Sequence, residues 1–393
     1  MSLRFPSSPD DYRECARRRL PRFLFDYLDG GAGTEVTLGA NSRDLAAIRL
    51  RQRVLVDVEN IDTGTQLAGE SCSMPVALAP VGMAGIMARR GEAQAARVAE
   101  SADVPFTLST VGVCSLEEVR AARNNPFWFQ LYMIRDRAVV SALLERAWAV
   151  GCRTLVFTVD LPRAGMRHRD VRNGMDTAGA RASILRAAQV LARPGWIWNV
   201  AMRGKPLQIG CLAGQVPGAR DLGSFKRWVD AQFDASVTWQ DIAWLRARWQ
   251  GRLMLKGILD IEDARQAVHV GADGIVVSNH GGRQLDGVRS TISVLPEIVQ
   301  GVGKQLEVWM DGGIRSGTDV FKAIALGARG VMIGRTWAWA LAGNGSKGLE
   351  NCLASLQREL RLAMVLTGAR TIADIDSSRL DTGPTNVSCG DAR

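Results

Sequence analysis

The chain has no Cys-x-x-Cys pair and only three histidines, His168, His269 and His280, in 393 residues. That leaves no cluster of ligands with the spacing of a zinc site, and no metal is expected. Its seven cysteines (Cys15, Cys72, Cys114, Cys152, Cys211, Cys352 and Cys389) are scattered and odd in number, which argues against a disulfide framework and for the reducing cytoplasm. No stretch approaches the roughly 18 apolar residues of a membrane span, and the arginine-bearing N-terminus lacks an uninterrupted apolar core. Neither a transmembrane helix nor a signal peptide is therefore expected. Also missing are a P-loop and a Gly-x-Gly-x-x-Gly after a first strand, so nucleotide hydrolysis and nicotinamide binding on a Rossmann fold lack support. The surplus charge of +9 suits anionic substrates, anionic lipid or nucleic acid equally, but no recognised nucleic-acid motif organises it, and no nucleic-acid partner is expected.

What the chain does have is 47% hydrophobic residues and 41 glycines, the composition of a folded globular protein rich in tight turns. Short apolar runs at residues 76–79, 105–108, 128–131, 155–159, 253–255, 274–277, 307–310 and 331–333 each end in polar or glycine residues. Segments of helical periodicity lie between them, at 92–102, 116–123, 139–150, 261–270, 294–302 and 318–326. Apolar strands alternating with helices imply a parallel sheet, and eight such units predict an α/β fold of the (β/α)8 TIM-barrel type. The barrel would occupy residues 66–170 and 238–345. Residues 1–65 would form an N-terminal helical cap, and 346–393 a C-terminal helix and tail.

Residues 171–237 form a long insertion after strand four, well above ordinary βα-loop length, and so a lid, a binding segment or a disordered stretch. Within it, residues 177–205 carry Arg181, Arg186, Arg193, Arg203 and Lys205, no acid, and the cluster Trp196-Ile197-Trp198. At helical spacing Ile184, Leu185, Ala188 and Leu191 share one face, with Arg186 and Arg193 opposite and Pro194 as a stop. This reads as a basic amphipathic stretch with interfacial tryptophans.

Barrels of this kind place chemistry at the carboxyl ends of their strands. Those ends hold Pro80 and Gly82, Ser109, Gln130 and Tyr132, Thr158 and Asp160, Lys256, Ser278 and His280, Asp311 with Gly312 and Gly313, then Gly334 and Arg335. His269 lies in a helical pattern and reads as a surface residue. His280 follows a buried-strand pattern and precedes two glycines that permit close ligand approach. An imidazole near its unperturbed pKa of about 6.5 can take a proton at neutral pH, and Asp160 is the natural carboxylate to orient and stabilise it. Arg283 and Arg167 can form a two-armed clamp for a substrate carboxylate. Gly312, Gly313 and Arg315 with Gly334 and Arg335 fall where barrels usually bind phosphate, a position that suits a cofactor.

The strings Leu20-Pro21, Phe25-Asp26-Tyr27, Ala79-Pro80-Val81-Gly82, Phe129-Gln130-Leu131-Tyr132, Thr158-Val159-Asp160, Leu255-Lys256-Gly257, Ser278-Asn279-His280-Gly281-Gly282-Arg283-Gln284-Leu285-Asp286, Asp311 to Arg315 and Gly334-Arg335 cover nearly the whole chain. Through them the sequence resembles the FMN-dependent L-2-hydroxy acid dehydrogenases and oxidases. Within that family it is most similar to the bacterial membrane-associated L-lactate dehydrogenase branch, through Ser109-Thr110-Val111, Lys256-Gly257-Ile258-Leu259-Asp260 and the insertion.

The resemblance implies FMN as cofactor and a small L-2-hydroxy acid as substrate, L-lactate going to pyruvate, with (S)-mandelate or glycolate as alternatives. His280 would take the substrate proton, by a carbanion or a hydride route, and Asp160 would stabilise the charged imidazole. Arg283, Arg167 and Tyr27 would hold the carboxylate, while Tyr132 would hydrogen-bond the reacting oxygen. Lys256 would stand near the flavin N1 and stabilise its reduced anion. Pro80, Val81 and Gly82 with Ser109, Gln130, Thr158 and Ser278 would bind the ring and ribityl chain. Asp311, Gly313, Arg315, Gly334 and Arg335 would bind the ribityl chain and phosphate. Gly82 would leave room beside the substrate, which keeps aryl side chains open. The insertion would be a bilayer contact, making the protein peripheral on the cytoplasmic side of the inner membrane. Electrons would then pass to a quinone or other respiratory acceptor, and the resemblance suggests a homotetramer.

Overall fold

The computed structural model describes residues 5–177, 179–204, 210–212 and 232–381. A short antiparallel hairpin, β1 (Thr65–Leu67) and β2 (Glu70–Cys72), precedes eight parallel strands. These are β3 (Val76–Leu78), β4 (Thr107–Ser109), β5 (Trp128–Leu131), β6 (Thr154–Thr158), β7 (Arg252–Ile258), β8 (Gly274–Val277), β9 (Glu307–Asp311) and β10 (Gly330–Ile333). Their spatial order is β3-β10-β9-β8-β7-β6-β5-β4, and a parallel bridge between Leu78 and Phe106 brings the two ends together. The sheet is thus a (β/α)8 barrel.

Every core strand is buried on both faces, because helices cover the outside and side chains fill the inside. Alternation along the strands divides the core in two. Ala77, Trp128, Val156, Met254, Val276, Trp309 and Met332 pack inside the barrel with Leu67 and Ala68 of the hairpin. Their outward neighbours, such as Leu78, Phe129, Leu155, Leu255, Ile275 and Val331, join the larger core beneath the helices. The hairpin closes the amino-terminal end, where Trp128 Nε1 donates to Glu70 at 3.1 Å and the Ala68 amide to Glu307 at 3.1 Å. The carboxyl end carries the strand-end residues singled out in the sequence.

Three strands run past the apolar stretches that mark them in the sequence: β4 ends on Ser109. β7 continues through Lys256 and Gly257 to Ile258, with a register shift there, and β9 ends on Asp311. The polar residues of β7 and β9 are accommodated because Lys256 Nζ and Asp311 Oδ2 pair at 2.7 Å inside the fold. The segment before the hairpin contributes helices Pro9–Arg19, Arg22–Asp29 and Val36–Ala47. The first of these packs on the last helix, Arg335–Thr367, which is interrupted by non-helical dihedrals at Asn344 and Gly345.

In the segment after β6, helix Ala180–Leu191 forms as its periodicity predicts, followed by a turn at Pro194–Trp196 and a π-helical turn Ile197–Met202. Its hydrogen bonds and exposure show which of the two faces points inward. Arg186 donates to the carbonyls of Gly174 and Thr177, Arg193 to that of Leu20, and Gln189 accepts from the Phe23 amide at 2.7 Å. The polar side is turned inward because it caps backbone groups of the neighbouring loops. The apolar side faces out, with Ile184, Leu191, Trp198 and Met202 exposed by 69%, 74%, 55% and 68%. Trp196 is not interfacial: it is buried and donates to the Ile86 carbonyl at 2.8 Å. Lys205 lies outside the described residues. No described helix is long and apolar enough to cross a membrane.

Candidate active site

The turn after β8 carries His280 in an unusual backbone. His280, Gly281 and Gly282 are consecutive left-handed residues, with φ of 56°, 64° and 73°. For a non-glycine residue that conformation costs about 1–2 kcal/mol, and it persists here because the turn is tied on every side. The His280 amide donates to Ser278 Oγ at 3.0 Å, the Gly282 amide to Asn279 Oδ1 at 3.0 Å, and Asn279 exchanges paired amide hydrogen bonds of 2.8 Å with Asn41. A Cβ on Gly282 would lie 2.6 Å from the Leu38 amide nitrogen, so only glycine lets the cap approach this closely. The imidazole Nδ1 is thereby held 2.8 Å from Asp160 Oδ1 at the end of β6. Burial alone would raise the Asp160 pKa, but His280 and Lys256 outweigh it and keep the carboxylate below its ordinary range.

The remainder of the nine-residue motif positions other segments. Gln284 Nε2 donates to the carbonyls of Asp160 and Arg163 at 2.7 and 3.0 Å, and its Oε1 accepts from the Gly165 amide, fixing the loop that bears Asp160. Asp286 accepts from the Thr34 and Thr37 amides at 2.9 Å each, docking helix Val36–Ala47. Neither role is visible in the sequence, because both partners are distant in the chain.

Arg283 and Arg167 meet over one ring: their guanidinium carbons lie 5.0 and 5.6 Å from the centroid of Tyr27. Arg283 donates to the Tyr27 and Gly30 carbonyls, and Arg167 is held by Asp170 at 2.6 Å. Tyr132 is buried against Phe233, with ring centroids 5.1 Å apart, and burial followed by the charge of Asp160 pushes its phenol pKa up. Phe233 belongs to the segment after β6 and gives no signal in the sequence.

Lys256 is buried between Asp311 at 2.7 Å and Ser278 Oγ at 2.9 Å. Desolvation opposes its charge, yet Asp311 and Asp160 prevail and its pKa stands above the usual lysine value. Asp311, expected beside the ribityl chain, is therefore also the counter-ion of Lys256. Tyr27, Pro80, Val81, Gly82, Tyr132, Thr158, Arg167, Lys256, His280, Arg283, Asp311, Gly313, Arg315, Gly334 and Arg335 all line one cleft at the carboxyl end of the barrel. Ser109, Gln130 and Ser278 do not line it; they are buried, with Ser109 Oγ donating to Gln130 Oε1 at 3.0 Å. His168 and His269 are exposed and lie outside it.

The cleft fits a phosphate-bearing ring cofactor on three counts. Arg315 and Arg335 reach it from the ends of β9 and β10, and among the described residues neither guanidinium forms an ion pair. Burial pushes Arg315 down to about 10, and burial together with the neighbouring Arg283 and Arg315 pushes Arg335 well below its usual value. Such cations favour an anion between them. Gly313 has φ of 86°, and a Cβ there would meet the Asn41 carbonyl at 2.2 Å, so the loop is built for bare backbone. Gln130 Nε2, Thr158 Oγ1 and Asp311 Oδ1 are buried without partners, which in a native fold calls for a missing polar ligand or water.

A Cβ on Gly82 would lie 2.7 Å from Val111 Cγ2 and 3.7 Å from the Tyr27 hydroxyl, so the glycine lets Val111 stand close against the backbone at the cleft wall.

A barrel with a histidine–carboxylate pair, an arginine clamp and an electropositive glycine loop at one mouth defines a cofactor-dependent enzyme acting on a small organic acid. Residues 16–382 match the family described as FMN-dependent dehydrogenase, and the chain belongs to it. The chain is 53% identical to an L-lactate dehydrogenase of Caulobacter vibrioides over 374 residues, 95% of this chain and 97% of that relative. Among solved structures it is similar to the monotopic membrane protein (S)-mandelate dehydrogenase, with TM-score 0.88, 32% identity and coverage of 95% and 99%. It is also similar to a mandelate oxidase, with TM-score 0.80, 39% identity and coverage of 95% and 98%. The protein is an FMN-dependent 2-hydroxy acid dehydrogenase. FMN, when bound, supplies the ring that accepts two electrons from the substrate carbon.

Proposed function

We propose that the protein oxidises L-lactate to pyruvate, with His280 as the base. The observation that carries the reading is the 2.8 Å contact between His280 Nδ1 and Asp160, at the mouth that also holds Arg283, Arg167 and Tyr27. Asp160 fixes the tautomer, so the other ring nitrogen faces the substrate as a proton acceptor. Arg283 and Arg167 hold the carboxylate beside Tyr27, and Tyr132, kept protonated by its environment, donates to the reacting oxygen. Lys256, held charged by Asp311, supplies a positive charge where the reduced cofactor becomes negative. Pro80, Val81, Gly82, Ser109, Gln130, Thr158 and Ser278 take the ring side of FMN, and Asp311, Gly313, Arg315, Gly334 and Arg335 the ribityl and phosphate side. The division into cap, barrel, insertion and C-terminal helix at residues 65, 170, 237 and 345 belongs to the same reading.

Val111 beside Gly82 supports a small substrate side chain, as does the likeness to L-lactate dehydrogenases. Mandelate is the second reading, favoured by the likeness in structure to (S)-mandelate dehydrogenase. Rates on L-lactate, L-mandelate and glycolate with a dye acceptor separate them. Higher kcat/KM for L-lactate is expected, and a strong mandelate preference would remove the lactate assignment.

The outward apolar face of residues 180–202 supports peripheral attachment to a bilayer, as does the likeness to a monotopic membrane protein. Electrons then go to a membrane quinone. Cytoplasmic sidedness rests on cysteine usage, and a homotetramer on family resemblance.

A further inference from the structure

The loop after β3 borders two cavities. Met87, buried at the end of helix Ala84–Met87, lines the active-site cleft and also a second cavity of about 550 Å³, part of it open to solvent. Its other walls include Trp196 and Val200 from the turns after helix Ala180–Leu191, Arg19 from the first helix, Arg89 and Asn199. We propose that this second cavity receives the headgroup of a membrane quinone, with Met87 standing between that headgroup and the cofactor site. The proposal rests on the reading of the acceptor as a membrane quinone.

The lining suits such a ligand. A quinone ring is flat and apolar with two carbonyl acceptors, and small-molecule sites combine apolar walls with a few placed donors. Met87, Trp196 and Val200 are buried and supply the walls, while Arg19 and Arg89 supply donors. No carboxylate lines the cavity among the described residues, and Arg89 is exposed and holds no ion pair there, so its donors are available to a neutral acceptor.

Location adds a second, independent argument. The π-helical turn Ile197–Met202 has two faces: Val200 lines the cavity, whereas Trp198 and Met202 are exposed. π turns are rare and frequent at functional sites. A molecule dissolved in lipid would meet the outer face first and find the cavity behind it. Atoms and electrons balance without further reagents: the hydroxy acid loses two electrons and two protons in becoming the oxo acid, and the quinone gains two of each in becoming the quinol.

The test titrates decylubiquinone into the oxidised holoenzyme and measures binding by calorimetry, for the wild type and for Asn199→Trp and Arg89→Gln. Asn199 is half-buried and, among the described residues, its side chain bonds locally, to the Gly195 carbonyl at 3.0 Å, so an indole there fills the cavity without disturbing the barrel. Expected are a Kd raised roughly tenfold or more by Asn199→Trp and severalfold by Arg89→Gln, with the quinone kcat/KM falling in parallel. Flavin reduction by substrate and turnover with an aqueous dye stay at wild-type values, which also reports that each variant is folded. Unchanged quinone affinity in both variants overturns the proposal and leaves the quinone acceptor standing. A wild-type holoenzyme that neither binds nor reduces decylubiquinone removes the acceptor reading and the cavity's role with it.

Discussion

His280 is held by its backbone as much as by its side chain. The left-handed turn spends conformational energy to aim an imidazole at Asp160 and the cleft, a form of pre-organisation that serves proton transfer. His280→Gln should retain yellow bound FMN while anaerobic flavin reduction slows by about 10²–10⁴-fold or more in stopped flow. Near-normal reduction would refute the base assignment. Asp160 offers a check on sign. Its folded pKa is depressed by His280 and Lys256, so it contributes stability that is fully present above the unfolded value near 3.9 and is lost as pH falls through the folded one. The deficit in melting temperature of Asp160→Asn should therefore be present above about pH 4 and shrink below it. A deficit that persisted undiminished below that pH would contradict a depressed carboxylate. The strand-end residues were legible because the barrel rule turns position in sequence into position in space. Val111, Phe233 and Gln284 were not, since each acts across loops whose meeting no local pattern encodes.

Among the elements, apolar runs located all eight strands, and they fell short where β4 ends on Ser109, β7 carries Lys256 and β9 ends on Asp311. In β7 and β9 the two polar residues satisfy each other inside the fold, which a hydrophobicity pattern cannot register. Helical spacing likewise found Ala180–Leu191 and its two faces but not which face points inward. That depended on free carbonyls at Leu20, Gly174 and Thr177 that recruit Arg193 and Arg186. The glycine loop and its arginines yield two expectations. Gly313→Ala should purify largely without FMN, seen as a loss of visible absorbance, because a Cβ cannot fit against Asn41. In wild-type apoprotein Arg315 and Arg335 are left desolvated and mutually repelling, so inorganic phosphate should raise the melting temperature more than chloride at equal ionic strength. Equal effects of the two salts would argue against an anion site.

At the scale of the molecule, the carboxyl end of the barrel carries the cleft, and the apolar outer surface of residues 180–202 is carried on a segment that inserts between β6 and β7. Attachment through apolar burial rather than basic charge predicts that co-sedimentation with vesicles persists at high salt. Placing aspartate at both Ile184 and Leu191 should release the protein while leaving flavin reduction intact. Release by salt alone would restore the basic reading of this stretch. The central claim is that this cleft, loaded with FMN, abstracts electrons from L-lactate. Anaerobic titration of the yellow holoenzyme with L-lactate, L-mandelate and glycolate tests it directly. Stoichiometric bleaching by L-lactate, at a higher second-order rate than with either alternative, is the predicted result, and a flavin left oxidised by L-lactate would contradict it.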